Sequence, residues 1–460
     1  MAGTAEGTAV RYGCTEAEGP SGAATCPQSD QAGHRSPGAQ RVAVLGQGYV
    51  GLPLALRAVQ VGYDVVGFDT DAGRVGRLQA GQSYVEDVPA GLLQAALKGG
   101  RYKPTSSPGD LAGFDVALIT VPTPLKEGVP DLSYVQDAGR ELGPYLRPGS
   151  LVVLESTTYP GTTEELLAAV LERASGGLRA GEDYYLGYSP ERIDPGNRRF
   201  GLANTPKVVS GVGEASLKAV EHFYGSLVET TVAVPRPREA ELAKLIENTF
   251  RHVNIALVNE LAIFAADLGV DIWAALDAAA TKPFGFMRFE PGPGVGGHCL
   301  PIDPSYLSWH IRNSLSRSFR FVELANDVND HMPDYVVQRI MMALNSAGKA
   351  VKGSRALLLG VTYKKNTSDM RESPAIAVAQ RLLRLGAQVH YVDSHVDGAD
   401  VASKEPRLVR AELSASVLAT ADAVVVMADH DDVDYELVSS AARYVFDTRH
   451  RCRGPAVEHL

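Results

Sequence analysis

Residues 41–69 read RVAVLGQGYVGLPLALRAVQVGYDVVGFD. An apolar run ends in the turn Gly46-Gln47-Gly48-Tyr49-Val50-Gly51; Leu52, Leu56 and Val59 then recur at helical spacing, and a second apolar run closes on Asp69. Strand, glycine turn, amphipathic helix and strand make one βαβ unit. The turn is a GxGxxG in which each glycine has a physical reason. Gly46 permits the tight turn, Gly48 lets a pyrophosphate approach the backbone, and Gly51 lets helix pack on strand. Asp69 is placed to accept from ribose hydroxyls and would repel a 2′-phosphate, so NAD is expected rather than NADP. Tyr49 and Val50 belong to the same cofactor turn. Arg74, five residues past Asp69, either flanks the adenosine ribose or stands solvated.

Downstream, apolar runs at Val116–Val121, Leu151–Leu154 and Val208–Ser210 alternate with helical stretches, which predicts a parallel sheet with helices on its faces. From about Arg238 to Gly269 one long helix is expected. Leu242, Leu245, Ile246, Phe250, Val253, Leu257, Leu261, Phe264 and Leu268 step along it by three or four. Its length suits an interdomain strut or the contact of a homodimer. Near Gly353 a second α/β stretch opens with ALLLGV as strand, SPAIAVAQRLLRLG as helix, then AQVHYVD and DAVVVMA as strands. The expected fold class is therefore α/β: two Rossmann-like domains with parallel sheets, joined by a central helical domain containing one long helix. The expected divisions are a disordered tail at 1–40, a dinucleotide domain at 41–235, a helical domain at 236–345 and a second Rossmann-like domain at 346–460. The tail assignment rests on its Gly, Ala, Ser, Pro and Gln content, which supplies no periodic apolar face.

Composition agrees with a multidomain globular protein and argues against other classes. A chain of 460 residues exceeds what one hydrophobic core sustains. The net charge of −10 argues against nucleic acid or an acidic membrane surface as partner, so an anionic ligand must be held by local devices. There is no apolar run of spanning length and no basic-then-apolar leader, and a cytoplasmic location is expected. Cys14, Cys26, Cys299 and Cys452 lack CxxC spacing, so neither a disulfide framework nor a metal centre is expected.

Cys299 sits in PGPGVGGHCLPIDP, residues 291–304. Glycine density of this kind lets backbone approach a ligand, and an unpaired thiol in a reducing compartment can act as a nucleophile. A lone cysteine is more often a small buried filler, and spacing does not separate the two. The loop gains meaning beside the GxGxxG and a third motif, YKKNTSDMRESP at 363–374. With these three motifs in order, the chain resembles the UDP-glucose/GDP-mannose dehydrogenase family over about residues 41–450.

The resemblance implies an NAD-dependent, four-electron oxidation of a nucleotide sugar. Cys299 matches the nucleophile that captures the C6 aldehyde as a thiohemiacetal, later a thioester, and Asp303 matches the loop carboxylate. Lys244 and Asn248, one helical turn apart in ELAKLIENTF, match the catalytic lysine and asparagine. Glu191 and Thr158 match the glutamate and threonine of the hydrolysis half. Lys364 matches a lysine on the nucleotide sugar and Arg371 one reaching towards NAD. Thr123 joins the cofactor set; Arg192 and Gly296 join Glu191, Lys244 and Asn248 in the substrate set. Whether Lys244 or a water held by Asp303 takes the first hydroxyl proton stays open, since geometry must come first.

Within the family, GGHCLPIDPSYL carries Ile302 where UDP-glucose members commonly have lysine. With SPERIDPGN, TKPFGF and His298, the chain looks most like the UDP-N-acetylglucosamine 6-dehydrogenase branch, with the mannosamine epimer and UDP-glucose as alternatives. Arg251, His252 and Asn254 are candidates for the partner of a 2-acetamido group. Two rival classes remain: a two-electron hydroxyacid dehydrogenase, which has no use for the cysteine loop, and a non-catalytic NAD or nucleotide-sugar sensor, which has no use for thiol and lysine together.

Overall fold

The computed structural model describes residues 40–85, 87–194, 197, 199–297 and 300–460. The expected tail therefore lies outside the described residues. In chain order the strands of the first half are β1 (Arg41–Leu45), β2 (Asp64–Phe68), β3 (Tyr102–Thr105), β4 (Val116–Ile119), β5 (Leu125–Lys126), β6 (Val129–Pro130), β7 (Leu151–Leu154), β8 (Tyr185–Tyr188), β9 (Lys207–Gly211) and β10 (Thr231–Ala233). β5 and β6 pair only with each other. The other eight form one sheet in the order β10-β9-β8-β7-β4-β1-β2-β3. A second sheet, β13-β12-β11-β14-β15-β16, comprises β11 (Arg355–Leu359), β12 (Gln388–Val392), β13 (Val409–Arg410), β14 (Ala423–Val426), β15 (Val445–Asp447) and β16 (Val457–His459). Both sheets reverse direction of growth at their first strand, β1 or β11, so each has the doubly wound topology whose ligand crevice lies at the carboxyl ends of the strands.

The first sheet departs from the all-parallel expectation at one point: β8 and β9 run antiparallel, Gly187 opposite Gly211 and Tyr188 opposite Ser210. β9 then pairs in parallel with β10. The predicted run Val116–Val121 stops at Ile119, because Thr120 turns its hydroxyl back onto the carbonyls of Leu45 (2.9 Å) and Gly46 (2.8 Å). Between β1 and the helix Gly51–Val61, the glycine turn is sterically closed. Gly46 has φ +92°, and a Cβ built on Gly51 would fall 1.8 Å from the Gly46 carbonyl oxygen.

The central region corrects two expectations. It holds two long helices, Pro237–Asp267 and Arg320–Ser346. The second carries Pro333 in its interior, a residue that ordinarily ends a helix, so periodicity was a weak guide there. Proline has no N–H for the carbonyl of Asn329, four residues back; a Cβ on Gly294 would stand 3.1 Å from that oxygen, so the glycine-rich loop approaches the helix where its ladder is broken. On the first long helix most of the expected apolar stripe faces outward, although Leu245 is fully buried and Val253 partly so. Leu242, Ile246, Phe250, Leu257, Leu261, Phe264 and Leu268 are exposed, whereas Glu241, Lys244, Asn248, His252 and Asn259 are buried. Periodicity reports that two faces differ in polarity; it does not say which one the rest of the chain covers.

Gly51→Ala is expected to destabilise the fold by about 1–3 kcal/mol, the usual scale of overpacking. Urea unfolding followed by circular dichroism measures it, and unchanged stability would mean that helix and strand can part without cost.

Candidate active site

At the carboxyl end of β2 the buried Asp69 carboxylate accepts three hydrogen bonds from the chain and keeps acceptor capacity on Oδ1. Oδ2 accepts from the Gln47 backbone N–H (2.8 Å) and from Arg74 Nη1 (2.9 Å), and Oδ1 accepts from the Asp71 N–H (3.0 Å). Arg74 is thus a partly exposed ion-pair partner of Asp69, and its guanidinium lies 5.7 Å from the Tyr84 ring centroid. Gln47 is itself buried, with Tyr102 donating to its Oε1 (2.7 Å). The helix starting at Gly51 has Val50 as its N-cap, no side-chain cap and no acid in its first turn, so its positive end is left for an anion. A Cβ on Gly48 would meet no atom of the chain, so protein packing does not explain that glycine, whereas close approach of a pyrophosphate does. These features fit a dinucleotide. Thr123 is buried beside Tyr306, whose hydroxyl donates to the Pro124 carbonyl (3.0 Å). Tyr49 is exposed on the turn, and the Arg371 guanidinium, from the far end of the chain, lies 5.4 Å from its ring centroid.

Lys244, Asn248 and Asp303 are 8 %, 6 % and 2 % exposed, which groups two residues of the long helix with the first residue of the helix Asp303–Leu315. Asn248 Nδ2 donates to Asp303 Oδ2 at 2.6 Å. Burial pushes the Asp303 carboxyl up to about 6, against the pull of the nearby Lys244 ammonium and the Asn248 amide. A carboxyl that titrates there can exchange a proton with a neighbour or a water near neutral pH. Thr158 is fully buried and its hydroxyl has no hydrogen-bond partner among the described residues, so it offers a donor and an acceptor to whatever enters. Its turn is pinned by Glu241, three residues before Lys244, whose carboxylate accepts from Gly161 N–H (2.6 Å), Thr163 N–H (2.9 Å) and Thr163 Oγ1 (2.7 Å). Sequence reasoning passed over Glu241, although a charged residue one turn from Lys244 on the same face was visible in ELAK.

Cys299 and His298 lie outside the described residues. The loop before them is clamped: Gly292 N–H donates to Asn259 Oδ1 (2.8 Å) and Gly297 N–H to the Arg371 carbonyl (2.8 Å). A Cβ on Gly296 would lie 2.6 Å from the Glu372 carbonyl, and one on Gly297 2.8 Å from the Tyr363 ring, so the glycines are required by contact with the 363–374 motif. That motif also reaches the loop after β8, where Lys364 Nζ pairs with Asp194 at 2.6 Å. In the same loop the Glu191 carboxylate accepts from the Ile193 N–H, and Arg192 bonds the Pro206 carbonyl (2.6 Å) and Glu247 of the long helix (2.6 Å). Arg251 is exposed. His252 is unsuited to the amide role considered for it: its ring is buried between the long helices, with Nε2 on Asn326 at 2.7 Å. Asn254 caps back onto the Phe250 carbonyl.

One cluster was invisible to spacing. His395, His430 and Asp432 bring potential ligand atoms within 4.8 Å of one another at the carboxyl edge of the second sheet. Both His430 nitrogens are committed, Nδ1 accepting from the Asn366 N–H (2.9 Å) and Nε2 facing Asp393 Oδ2 (3.1 Å), which leaves it no lone pair for a metal.

Comparison with known proteins agrees with this geometry. Residues 40–228, 238–331 and 357–453 match the NAD binding, central and UDP binding domains of the UDP-glucose/GDP-mannose dehydrogenase family, and the chain belongs to that family. It is an NAD-dependent nucleotide-sugar dehydrogenase. A UDP-N-acetyl-D-glucosamine 6-dehydrogenase of Pseudomonas aeruginosa is 40 % identical, the match covering 78 % of this chain and 84 % of the relative. A UDP-N-acetyl-D-mannosamine dehydrogenase of Pyrococcus horikoshii is 36 % identical over 91 % of this chain and 97 % of the relative. The solved UDP-D-ManNAc dehydrogenase structure from Pyrococcus horikoshii superposes with a TM-score of 0.83 at 33 % identity, covering 92 % of this chain and 99 % of the other.

If ionised Asp303 is required, NADH production at saturating substrate falls as pH drops through about 6. Asn248→Ala removes a donor that favours the ionised carboxylate, so it should move this inflection to higher pH; an inflection that stays in place would show that another group governs the profile.

Proposed function

We propose that the chain oxidises the C6 alcohol of a UDP-N-acetylhexosamine, in the first place UDP-N-acetylglucosamine, to the uronate, using two NAD and one water per turnover. The carrying observation is the buried Lys244–Asn248–Asp303 group, in which Asp303 follows in sequence the glycine-rich loop that the 363–374 motif clamps at Gly297. NAD, when bound, accepts hydride from C6. The residues do the rest. Lys244 stabilises the oxyanions that develop at the C6 oxygen, with Asn248 holding Asp303 for proton exchange. The Cys299 thiolate retains the aldehyde as a thiohemiacetal, which presents a second C–H, and is left as a thioester. The Thr158 hydroxyl holds the hydrolytic water and Glu191 takes its proton. On the cofactor side Gly46, Gly48, Tyr49, Val50, Gly51, Asp69, Arg74, Thr123 and Arg371 form the NAD site. Lys364, Arg192, Arg251 and Gly296 serve the nucleotide sugar. Ile302 in place of the lysine of UDP-glucose members favours the acetamido sugar. The names carried by relatives at 40 % and 36 % identity support both the gluco and the manno epimer.

Two further elements belong to this reading. The exposed stripe from Leu242 to Leu268 is the face by which two copies associate, since a row of large apolar side chains this long is costly to leave in water. No helix among the described residues is long and apolar enough to cross a membrane, and a free catalytic thiol calls for the reducing cytoplasm.

Purified protein with each UDP-sugar is expected to release two NADH per uronate, fastest with an acetamido sugar. Cys299→Ser should keep the fold and lose double oxidation. One NADH per sugar, or full double oxidation by the serine variant, would refute the thioester route. Leu257→Glu, placed mid-stripe, is expected to yield monomers in light scattering; an unchanged dimer would assign the contact elsewhere.

A further inference from the structure

Behind the catalytic groups lies a buried ion pair to which the mechanism so far gives no part. Lys207 Nζ donates to Glu155 Oε2 at 2.7 Å, with side chains 5 % and 0 % exposed, and also to the Pro190 carbonyl at 3.2 Å. The Tyr224 hydroxyl donates to the other Glu155 oxygen, and its ring centroid lies 5.2 Å from the ammonium. A buried pair of this kind is poor value for stability, because apolar side chains of the same volume would do as well without desolvating two charges. Its position is the informative feature. Glu155 follows β7, three residues before Thr158; Pro190 follows β8, next to Glu191. Lys207 opens β9, and because β9 runs antiparallel to β8, its first residue arrives at the carboxyl edge where β8 ends. One ammonium therefore ties together the two loops that carry Thr158 and Glu191.

We infer that Glu155, Lys207 and Tyr224 are positioning residues for the hydrolytic half-reaction, holding Thr158 and Glu191 on opposite sides of the water. The inference rests on the proposed thioester route. In the step concerned, the water oxygen bonds to the acyl carbon and the C–S bond breaks with its electron pair on sulfur. One proton of the water passes to Glu191; the other leaves with ionisation of the new carboxylic acid.

The test uses the full chain, NAD and the UDP-sugar turned over fastest. Lys207→Met should lower steady-state kcat about tenfold, as expected for a misplaced reacting group, with KM for NAD within about twofold. Its first turnover should give a burst of two NADH per site, and intact-mass measurement should find more sugar-acyl adduct on the protein than in the wild type. Tyr224→Phe, which keeps the ion pair and removes one donor, should give the same signature with about a threefold loss, and it stands in if the methionine variant does not fold. A rate within about twofold of wild type in both variants, or a slower rate without added adduct, would overturn the assignment. Wild-type enzyme that yields only one NADH per sugar would overturn the thioester route itself, an outcome distinguishable because every positioning result presupposes two.

Discussion

A polar side chain in a dry interface must find a partner, and the inward face of the helix Pro237–Asp267 presents five in succession: Glu241, Lys244, Asn248, His252 and Asn259. The partners of Glu241, Asn248, His252 and Asn259 come from three other parts of the chain. Glu241 binds the turn after β7, Asn248 binds the helix after the cysteine loop, and His252 binds the second long helix. Asn259 receives Gly292 at the head of the glycine loop and donates to Asn329 at 2.9 Å. Satisfying this row assembles the site. The cost is that seven large apolar residues from Leu242 to Leu268 are left on the other side, where only another surface can cover them.

The two doubly wound sheets show how one turn geometry is put to different uses. Asp393, at the end of β12, repeats the bonding of Asp69: Oδ2 accepts from the N–H after the turn glycine, Val361 (2.8 Å), and Oδ1 from the N–H two residues on, His395 (2.9 Å). The third partner differs. Asp69 faces a half-exposed arginine, whereas Asp393 faces the buried His430. The second turn also has Gly360 but continues as Val-Thr-Tyr-Lys where the first has GxGxxG, so side chains, not bare backbone, project from it. Tyr363 and Lys364, with Arg371, are the groups by which this half reaches the cysteine loop, the loop after β8 and the NAD turn.

Much of this was legible in the sequence because local signals agreed with the fold. The stretch 41–69 held both the strand–turn–helix and the acid in register, and the i, i+4 spacing put Lys244 and Asn248 on one helix face, where Asn248 bonds Asp303, a residue that only the family resemblance had singled out. What was not legible depended on long-range pairing. Helical periodicity could not say that the stripe from Leu242 to Leu268 faces out, since a buried polar face is tolerated only through partners about 50 to 80 residues away. Pro333 concealed a 27-residue helix, and the antiparallel β9, which delivers Lys207 to Glu155, left no mark in a run of valines.

The same pairing logic explains how a protein of net charge −10 can take an anionic substrate. The cations at the cleft are already matched, Lys364 with Asp194, Arg192 with Glu247 and Arg371 with Asp369. Partly exposed pairs of this kind contribute about 0–1 kcal/mol each, so exchanging a carboxylate for a diphosphate oxygen costs little, and the released carboxylates return to water. Until that exchange the pairs hold long side chains at the rim in one orientation, which limits the entropy lost on binding. The buried Lys244 is held differently, near Asp303 and away from bulk solvent, which suits the role proposed for it at the C6 oxygen. On the proposed function, rim cations that exchange partners and an interior cation that keeps its place would divide recognition from chemistry within one acidic molecule.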